Sequence, residues 1–500
     1  MSQTTSLPVA VIGAGPVGLA AAAHLARYRQ AFIVLEAGSG PGATVGDWRH
    51  VRMFSPWRYN VDGAARELLA SNGWIAPNLD ALPTGGDIID RYLAPLAAHP
   101  SLAPHIRFNA RVTAVGRKDF DKVRTNGRER QPFEIRLASG ETIDARAVID
   151  ASGTWNRPNP AGSGGVAAPG EPEIADRIAY GIPDVLGRER SDYAGKRILV
   201  VGSGHSAFNV VLDLLTLSGE APGTDIVWAM RRDNLDAVWG GGAADALEAR
   251  GELGQRAKRA VEAGLLRVLT PYRIRSIART ATGLVVNGVL RSEERPVAVD
   301  RMVVCTGFRP DLEMLQEVRL STDAWLESSA ALGPLIDPNL HSCGTVRPHG
   351  ARELAHPEKD FFIVGVKSYG RAPTFLLATG YEQARSVVAQ LAGDIAAADR
   401  VELELPETGV CSTANLVNAG GCCGDPQPVA APVALSVATQ PAAADAAGCC
   451  GGPAPSGVDA CCVDDADAKA AGQSGCGCGS PEPVLITIGK RTQSSTRSAQ

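Results

Sequence analysis

Val9-Ala10-Val11-Ile12-Gly13-Ala14-Gly15-Pro16-Val17-Gly18 is the stretch that decides the fold: an apolar strand runs into a glycine-rich turn that opens a helix. The G-x-G-x-x-G spacing gives each small residue a task. Gly13 makes the tight turn, Gly15 lets a phosphate reach the backbone, and Gly18 must be small for helix–strand packing. A pyrophosphate then rests on the helix N-terminus. The pattern recurs at Ile198-Leu199-Val200-Val201-Gly202-Ser203-Gly204-His205-Ser206-Ala207, with alanine in the third position. One motif alone is weak evidence. Two in matched surroundings imply an enzyme that holds two dinucleotides face to face.

The strand Ala31-Phe32-Ile33-Val34-Leu35 ends at Glu36, eighteen residues past Gly18. A dinucleotide fold places there the acid that accepts from a ribose hydroxyl. The equivalent strand of the second unit, Asp225 to Met230, runs instead into Arg231-Arg232. Arginine at that place suits a 2′-phosphate, so the second nucleotide is expected to be NADPH rather than NADH. Each unit continues through short alternating segments, Phe133 to Ala145 and Leu284 to Val299, into an apolar strand ending in glycine. Those ends are Ala151-Ser152-Gly153-Thr154-Trp155 and Cys305-Thr306-Gly307-Phe308-Arg309-Pro310. The chain reads as one βαβ-plus-meander unit used twice.

Five hundred residues allow two or three domains, and a net charge of −5 implies neither nucleic acid nor an anionic membrane as partner. The apolar stretch Leu7 to Leu25 is broken by three glycines and Pro16, so it reads as strand, turn and helix rather than as a span or signal peptide. A cytoplasmic protein is expected. Expected boundaries are the first part of the first dinucleotide domain over 1–155, a linker over 156–192, an inserted NADPH domain over 193–307 and the second part of the first domain over 308–405. The fold class is α/β, with two Rossmann-like domains followed by a disordered, cysteine-rich tail over 406–500. Beyond Tyr381 there is no Phe, Trp or Tyr, and such a segment buries too little apolar surface to offset its ordering entropy.

The two glycine motifs, the ASGTW and CTGFRP strand ends and the closing Gly365 to Gln383 segment resemble flavin-dependent monooxygenases with two dinucleotide folds. The resemblance covers roughly residues 7 to 395, and more narrowly it is to flavoproteins encoded in arsenic-resistance operons. It implies FAD on Gly13, Gly15, Gly18 and Glu36 and a flavin-facing segment that includes Trp48, with Pro16, Gly153, Gly365 and Thr374 as further cofactor-binding candidates. It implies NADPH on Gly202, Ser203, Gly204, Arg231 and Arg232, with His205, Ser206, Thr306 and Gly307 as further cofactor-binding candidates and dioxygen and a small molecule as co-substrates. The chain departs from the pattern at Ile178 to Asp184, where the F-x-G-x-x-x-H fingerprint loses its histidine. Ser55 stands where many relatives have an asparagine near the flavin. Lys367, Tyr369 and Arg371, in the loop before the last helix, are candidates for contact with substrate or nicotinamide. That helix is expected to open at Ala372-Pro373-Thr374, with the proline in its first turn.

Flavin disulfide reductases share these folds but need a redox-active cysteine pair beside the flavin. Residues 37–62 and 150–232 contain no cysteine. The tail holds Cys411 and then Cys422-Cys423, Cys449-Cys450, Cys461-Cys462 and Cys476-Gly477-Cys478. Adjacent cysteines suit thiols in a reducing compartment, and soft thiolates select thiophilic ions such as arsenite. The enzyme reading therefore carries a role in metalloid detoxification. Its alternative is an FAD-containing metal- or redox-sensing protein with low turnover.

Overall fold

The computed structural model describes residues 7–235, 238–239, 245, 247–341, 346, 348–373 and 375–403. Thr374, Cys343 and every cysteine of the tail lie outside the described residues.

The first half builds β1 (Val9–Ile12), β2 (Phe32–Leu35) and β3 (Ile106–Arg107). A meander follows, of β4 (Val112–Arg117), β5 (Phe133–Leu137) and β6 (Thr142–Ala145), and then β7 (Ala147–Asp150). The second half opens with β8 (Ile178–Tyr180) and continues through β9 (Arg197–Val201), β10 (Asp225–Ala229) and β11 (Arg267–Leu269). Its meander is β12 (Tyr272–Thr280), β13 (Gly283–Leu290), β14 (Glu293–Glu294) and β15 (Val297–Val299), and β16 (Arg301–Val304) closes it. A last strand, β17 (Phe361–Ile363), returns to the first sheet.

The strand orders are β17-β7-β1-β2-β3 and β8-β16-β9-β10-β11, so the two parallel sheets are the same five-position design. The edge strand beside β7 is supplied from late in the chain, and the one beside β16 from just ahead of β9. This moves the expected domain boundary. Ile178–Tyr180 already pairs with Met302–Val304, so residues assigned to a linker belong to the second sheet. Every residue of β1 and β7 is buried. That is why these strands are unbroken apolar runs: a parallel sheet is covered on both faces.

Helix α1 (Pro16–Arg27) follows β1, α2 (Gly63–Ser71) packs on it, and α3 (His205–Glu220) follows β9. Helix α4 (Glu248–Glu262) packs on α3, and α5 (Leu377–Ala392) lies along α1. The expected start of α5 is corrected. Leu376 is still extended, so the helix begins at Leu377 and Pro373 stands outside its first turn. Proline disfavours the α conformation in the residue before it. The preceding 3₁₀ turn (Gly365–Tyr369) has already ended at Gly370, whose φ of 60° breaks the helical path.

Candidate dinucleotide sites

The two glycine turns are built alike. Gly13 has φ 101°, and a Cβ there would stand 2.8 Å from the carbonyl oxygen of Ala151 on the neighbouring strand. Gly202 has φ 134°, with the Cys305 carbonyl oxygen 2.3 Å from such a Cβ. A Cβ on Gly18 would lie 2.0 Å from the Gly13 oxygen, so the third position has no room. Its counterpart Ala207 is fully buried. By contrast, a Cβ on Gly15 or Gly204 would meet nothing within 4 Å. Sterics inside the protein do not demand glycine at these middle positions, which fits a ligand that occupies the space.

Behind each turn stands an uncapped helix. Gly15 and Gly204 are the N-caps of α1 and α3, with no side-chain cap and no acid in either first turn. The first N–H groups of a helix have no partner within it, and the macrodipole adds positive potential there. The Ser203 and Ser206 hydroxyls make no hydrogen bond among the described residues, so they add donors beside the second helix. The donor set thus fits a pyrophosphate at each turn.

Glu36 is buried, and its carboxylate accepts from the Ala14 and Gly38 N–H groups, each at 2.7 Å. A carboxylate has about four acceptor positions, so two remain for ribose hydroxyls. Trp48 packs edge-on against Gly85, where a Cβ would come within 2.7 Å of its ring. Asp47, next to it, accepts from the Trp155 indole N–H at 2.8 Å. Trp155 in turn stacks on Phe308 with centroids 4.7 Å apart. The two sequence-similar strand ends therefore meet ring on ring. Gly153, with φ 74°, has open space around it. The Thr306 hydroxyl and the Gly307 carbonyl instead tie down Asn159.

The four residues nominated for catalysis fare differently. Lys367 is 2% exposed rather than in an open loop. Its ammonium donates to Asp150 at 2.7 Å and to Ser152 at 3.0 Å. Tyr369 is 1% exposed and packs against Phe375 and His349. Burial raises its phenol well above the usual value. Ser55 is buried and donates to Asn60 at 3.0 Å. Only Arg371 is exposed. Gly365 donates its N–H to Gln383, which also donates to Ser368, so the turn after β17 is fastened to α5.

At the second site, Arg231 is exposed and donates to the Ser163 carbonyl at 2.8 Å. Arg232 is half-buried, and its carbonyl accepts from the Thr270 hydroxyl. His205, at the first position of α3, contacts Phe54 of the first domain at 5.3 Å between centroids. Burial, reinforced by Arg250 and partly offset by Asp245, lowers its pKa to about 4. It is therefore neutral and packed at neutral pH. Two features were missed from sequence. One is the buried Asp150–Lys367 pair; the other is Glu171, whose carboxylate fastens the turn at 161–168 through Ala161, Gly162, Ala168 and Tyr180. No motif marks either.

Among the described residues Cys305 is the free cysteine, and no group of three or more His, Cys, Asp or Glu is arranged to hold a metal ion. Nor is any helix among them long and apolar enough to cross a membrane.

Comparison with known proteins agrees with this architecture. A ferredoxin–NADP reductase of Gluconacetobacter diazotrophicus is 30% identical over 39% of this chain and 52% of its own length. An indole-3-pyruvate monooxygenase, YUCCA1, of Oryza sativa is 32% identical over 42% of this chain and 46% of its own. The chain thus spans about half the length of these two relatives. Among solved structures, the bacillithiol disulfide reductase of Bacillus cereus superposes with a TM-score of 0.58 at 16% identity, covering 78% of this chain and 100% of that one. A cadaverine monooxygenase of Erwinia amylovora gives 0.56 at 14% identity, covering 83% and 100%. At such identities the likeness is one of fold. Residues 10–331 match the pyridine nucleotide-disulphide oxidoreductase family. The chain belongs to that family.

Proposed function

We propose that this protein is an NADPH-dependent flavin monooxygenase. The observation that carries the reading is the state of Cys305. It is buried and donates to the Gly181 carbonyl at 3.2 Å, and burial pushes its thiol up to about 12. Such a thiol is neither ionised nor accessible at neutral pH, and it has no cysteine neighbour among the described residues. Among the described residues a disulfide-reductase relay finds no dithiol, which favours electrons leaving for a diffusible acceptor. Dioxygen and a small molecule fit, and one curated relative carries a monooxygenase name. The balance is two electrons from NADPH and two from the substrate. They reduce one dioxygen to water and place the second oxygen atom on the substrate.

FAD supplies the two-electron chemistry when bound, and the protein binds, orients and shields it. Gly15 and the N-terminus of α1 hold the pyrophosphate, and Glu36 holds the ribose. Gly204 and α3 hold the second pyrophosphate, with Arg231 and Arg232 toward the 2′-phosphate. No acid ends β10, so nothing there favours the bare ribose of NADH. The paired cysteines of the tail suit capture of a thiophilic ion, which makes a trivalent arsenical the substrate class of choice. The compartment proposed is the cytoplasm.

The test is anaerobic mixing of the yellow protein with NADPH or NADH, followed by oxygenated buffer with or without arsenite or methylarsenite. Faster flavin bleaching with NADPH, and arsenical-stimulated NADPH consumption matched by pentavalent product, are expected. Unstimulated consumption that releases hydrogen peroxide would reduce the protein to an NADPH oxidase. Equal bleaching with NADH would remove the 2′-phosphate role of the arginines.

A further inference from the structure

The turn Gly162-Ser163-Gly164-Gly165 lies in the crossover between β7 and β8, and it is fixed from several sides. Glu171 accepts from the Gly162 N–H, and the Ser163 hydroxyl accepts from the Ile274 N–H at 2.8 Å. Gly165, with φ 78°, donates its N–H to the Gly162 carbonyl. The two N–H groups between them, of Ser163 and Gly164, have no acceptor among the described residues. A rigid, glycine-rich turn with two unpaired amides is a concave anion acceptor of the kind made by consecutive backbone N–H groups.

Two guanidinium groups approach this turn from different domains. Arg231, at the end of β10, donates to the Ser163 carbonyl at 2.8 Å. Arg371 comes from the segment after β17, and its Nη2 lies 3.8 Å from where a Cβ on Gly165 would stand. The backbone of Arg371 is held hard in place. Its N–H donates to the Leu326 carbonyl at 2.7 Å, and the preceding Gly370 admits no Cβ, because one would stand 2.0 Å from the Leu326 oxygen. The side chain is exposed and makes no hydrogen bond or ion pair among the described residues. The protein thus fixes the base of a cation and leaves its charged end unpaired beside unpaired amides.

We propose that the Gly162–Gly165 turn, Arg231 and Arg371 together form a phosphate site that binds the pyridine nucleotide from both domains. This rests on the reading that NADPH is the reductant and adds to it. Arg371 is a specificity-determining residue contributed by the FAD domain, so the nucleotide is recognised fully only when both domains are in place. The Ser163 carbonyl holds the Arg231 fork near the turn, and a bound phosphate takes over the remaining guanidinium donors and the free amides. The same chemistry would also hold an anionic substrate, and the experiment separates the two sources.

The probe is 2′,5′-ADP, which carries the two phosphates of the adenosine half of NADPH without its hydride donor, titrated by calorimetry into the FAD-loaded full chain. Arg371→Ala is expected to weaken its binding about tenfold or more, the scale of a lost charge-assisted hydrogen bond. Arg371→Lys is expected to recover part of that loss, and the melting temperature and FAD content should stay unchanged because the side chain is unpaired. If 2′,5′-ADP fails to bind the unaltered protein, the NADPH reading itself falls. If it binds, and Arg231→Ala weakens it while Arg371→Ala does not, the shared site is overturned. An Arg371→Ala protein that keeps its 2′,5′-ADP affinity but loses affinity for an anionic acceptor would move Arg371 to the substrate.

Discussion

Lys367→Met separates a structural role from a substrate role for the most deeply buried cation among the residues nominated from sequence. The ammonium lies 2.7 Å from the Asp150 carboxylate, with side-chain exposures of 1% and 0%. At that separation and an effective dielectric of about 20, the attraction is about 6 kcal/mol. Methionine keeps most of the volume and removes the charge, leaving Asp150 with the Ser152 N–H at 3.0 Å as its remaining partner. Breaking a buried pair on one side costs about 3–5 kcal/mol, because the surviving charge stays desolvated. For a folded body of roughly 400 residues, this is a fall of about 4–6 °C in melting temperature. Thermal unfolding of the FAD-loaded protein measures it. The double variant Asp150→Leu/Lys367→Met should regain most of the loss, since an apolar replacement of both partners leaves no orphaned charge. A Lys367→Met protein with unchanged melting temperature but a large rise in substrate KM would refute the argument. It would place the ammonium on the substrate after all.

The two glycine turns give a second expectation. Gly15→Ala and Gly204→Ala should fold normally, because neither Cβ meets protein, yet weaken FAD and NADPH binding respectively, by about 1–3 kcal/mol of steric conflict. Apo-protein melting together with cofactor titration tests this, and Gly18→Ala, with its 2.0 Å clash, should instead lower the melting temperature. Asp213, on α3, has its pKa raised to about 6 by burial, with Asp184 adding to the rise and Arg256 opposing it. A raised carboxylate destabilises the fold once pH passes above the unfolded value near 4, and fully so above about 6. Asp213→Asn should therefore add about 2–3 kcal/mol at pH 7 and little at pH 4, and equal melting shifts at both pH values would contradict this. Cys305→Ala should leave the rate of flavin reduction by NADPH unchanged. A rate collapse in that variant would restore a thiol to the electron path.

What the sequence made legible was what local backbone geometry dictates. Gly13 and Gly202 are required by contacts with the strand ends beside them, Gly18 by the Gly13 carbonyl of its own turn, and the meanders follow from alternation. Pairings that join distant parts of the chain carry no local mark. Lys367 and Asp150 are 217 residues apart, and neither flanking segment differs from an ordinary loop or strand end. The start of α5 was misplaced because Pro373 resembles a first-turn proline until Gly370 and the extended Leu376 are seen. Strand β8 was overlooked because three residues, Ile178-Ala179-Tyr180, become a strand only by pairing with β16. The loop reading for Lys367 and Tyr369 failed for a related reason. A short turn after β17 is covered by α5, whose register places Gln383 against Gly365.

The two halves share a turn but hold their ligands under different constraints. In the first, the Glu36 carboxylate bonds the Ala14 amide within the glycine motif, and the Gly42 N–H bonds the Ala14 carbonyl. The turn is thus tied down by the residue proposed to hold the ribose. In the second, the corresponding strand end offers no carboxylate, Gly204 is exposed, and the Trp228 indole bonds the Gly202 carbonyl from behind. A ligand at the first turn meets groups already ordered by the protein, so little further entropy is lost on binding. At the second it must engage the remaining guanidinium donors of Arg231, itself held by the Ser163 carbonyl, and contend with Phe54 against His205. Under the proposed function, the same design favours a resident cofactor in one half and an exchanging one in the other, the asymmetry that a two-electron carrier reduced in place by a diffusing donor needs.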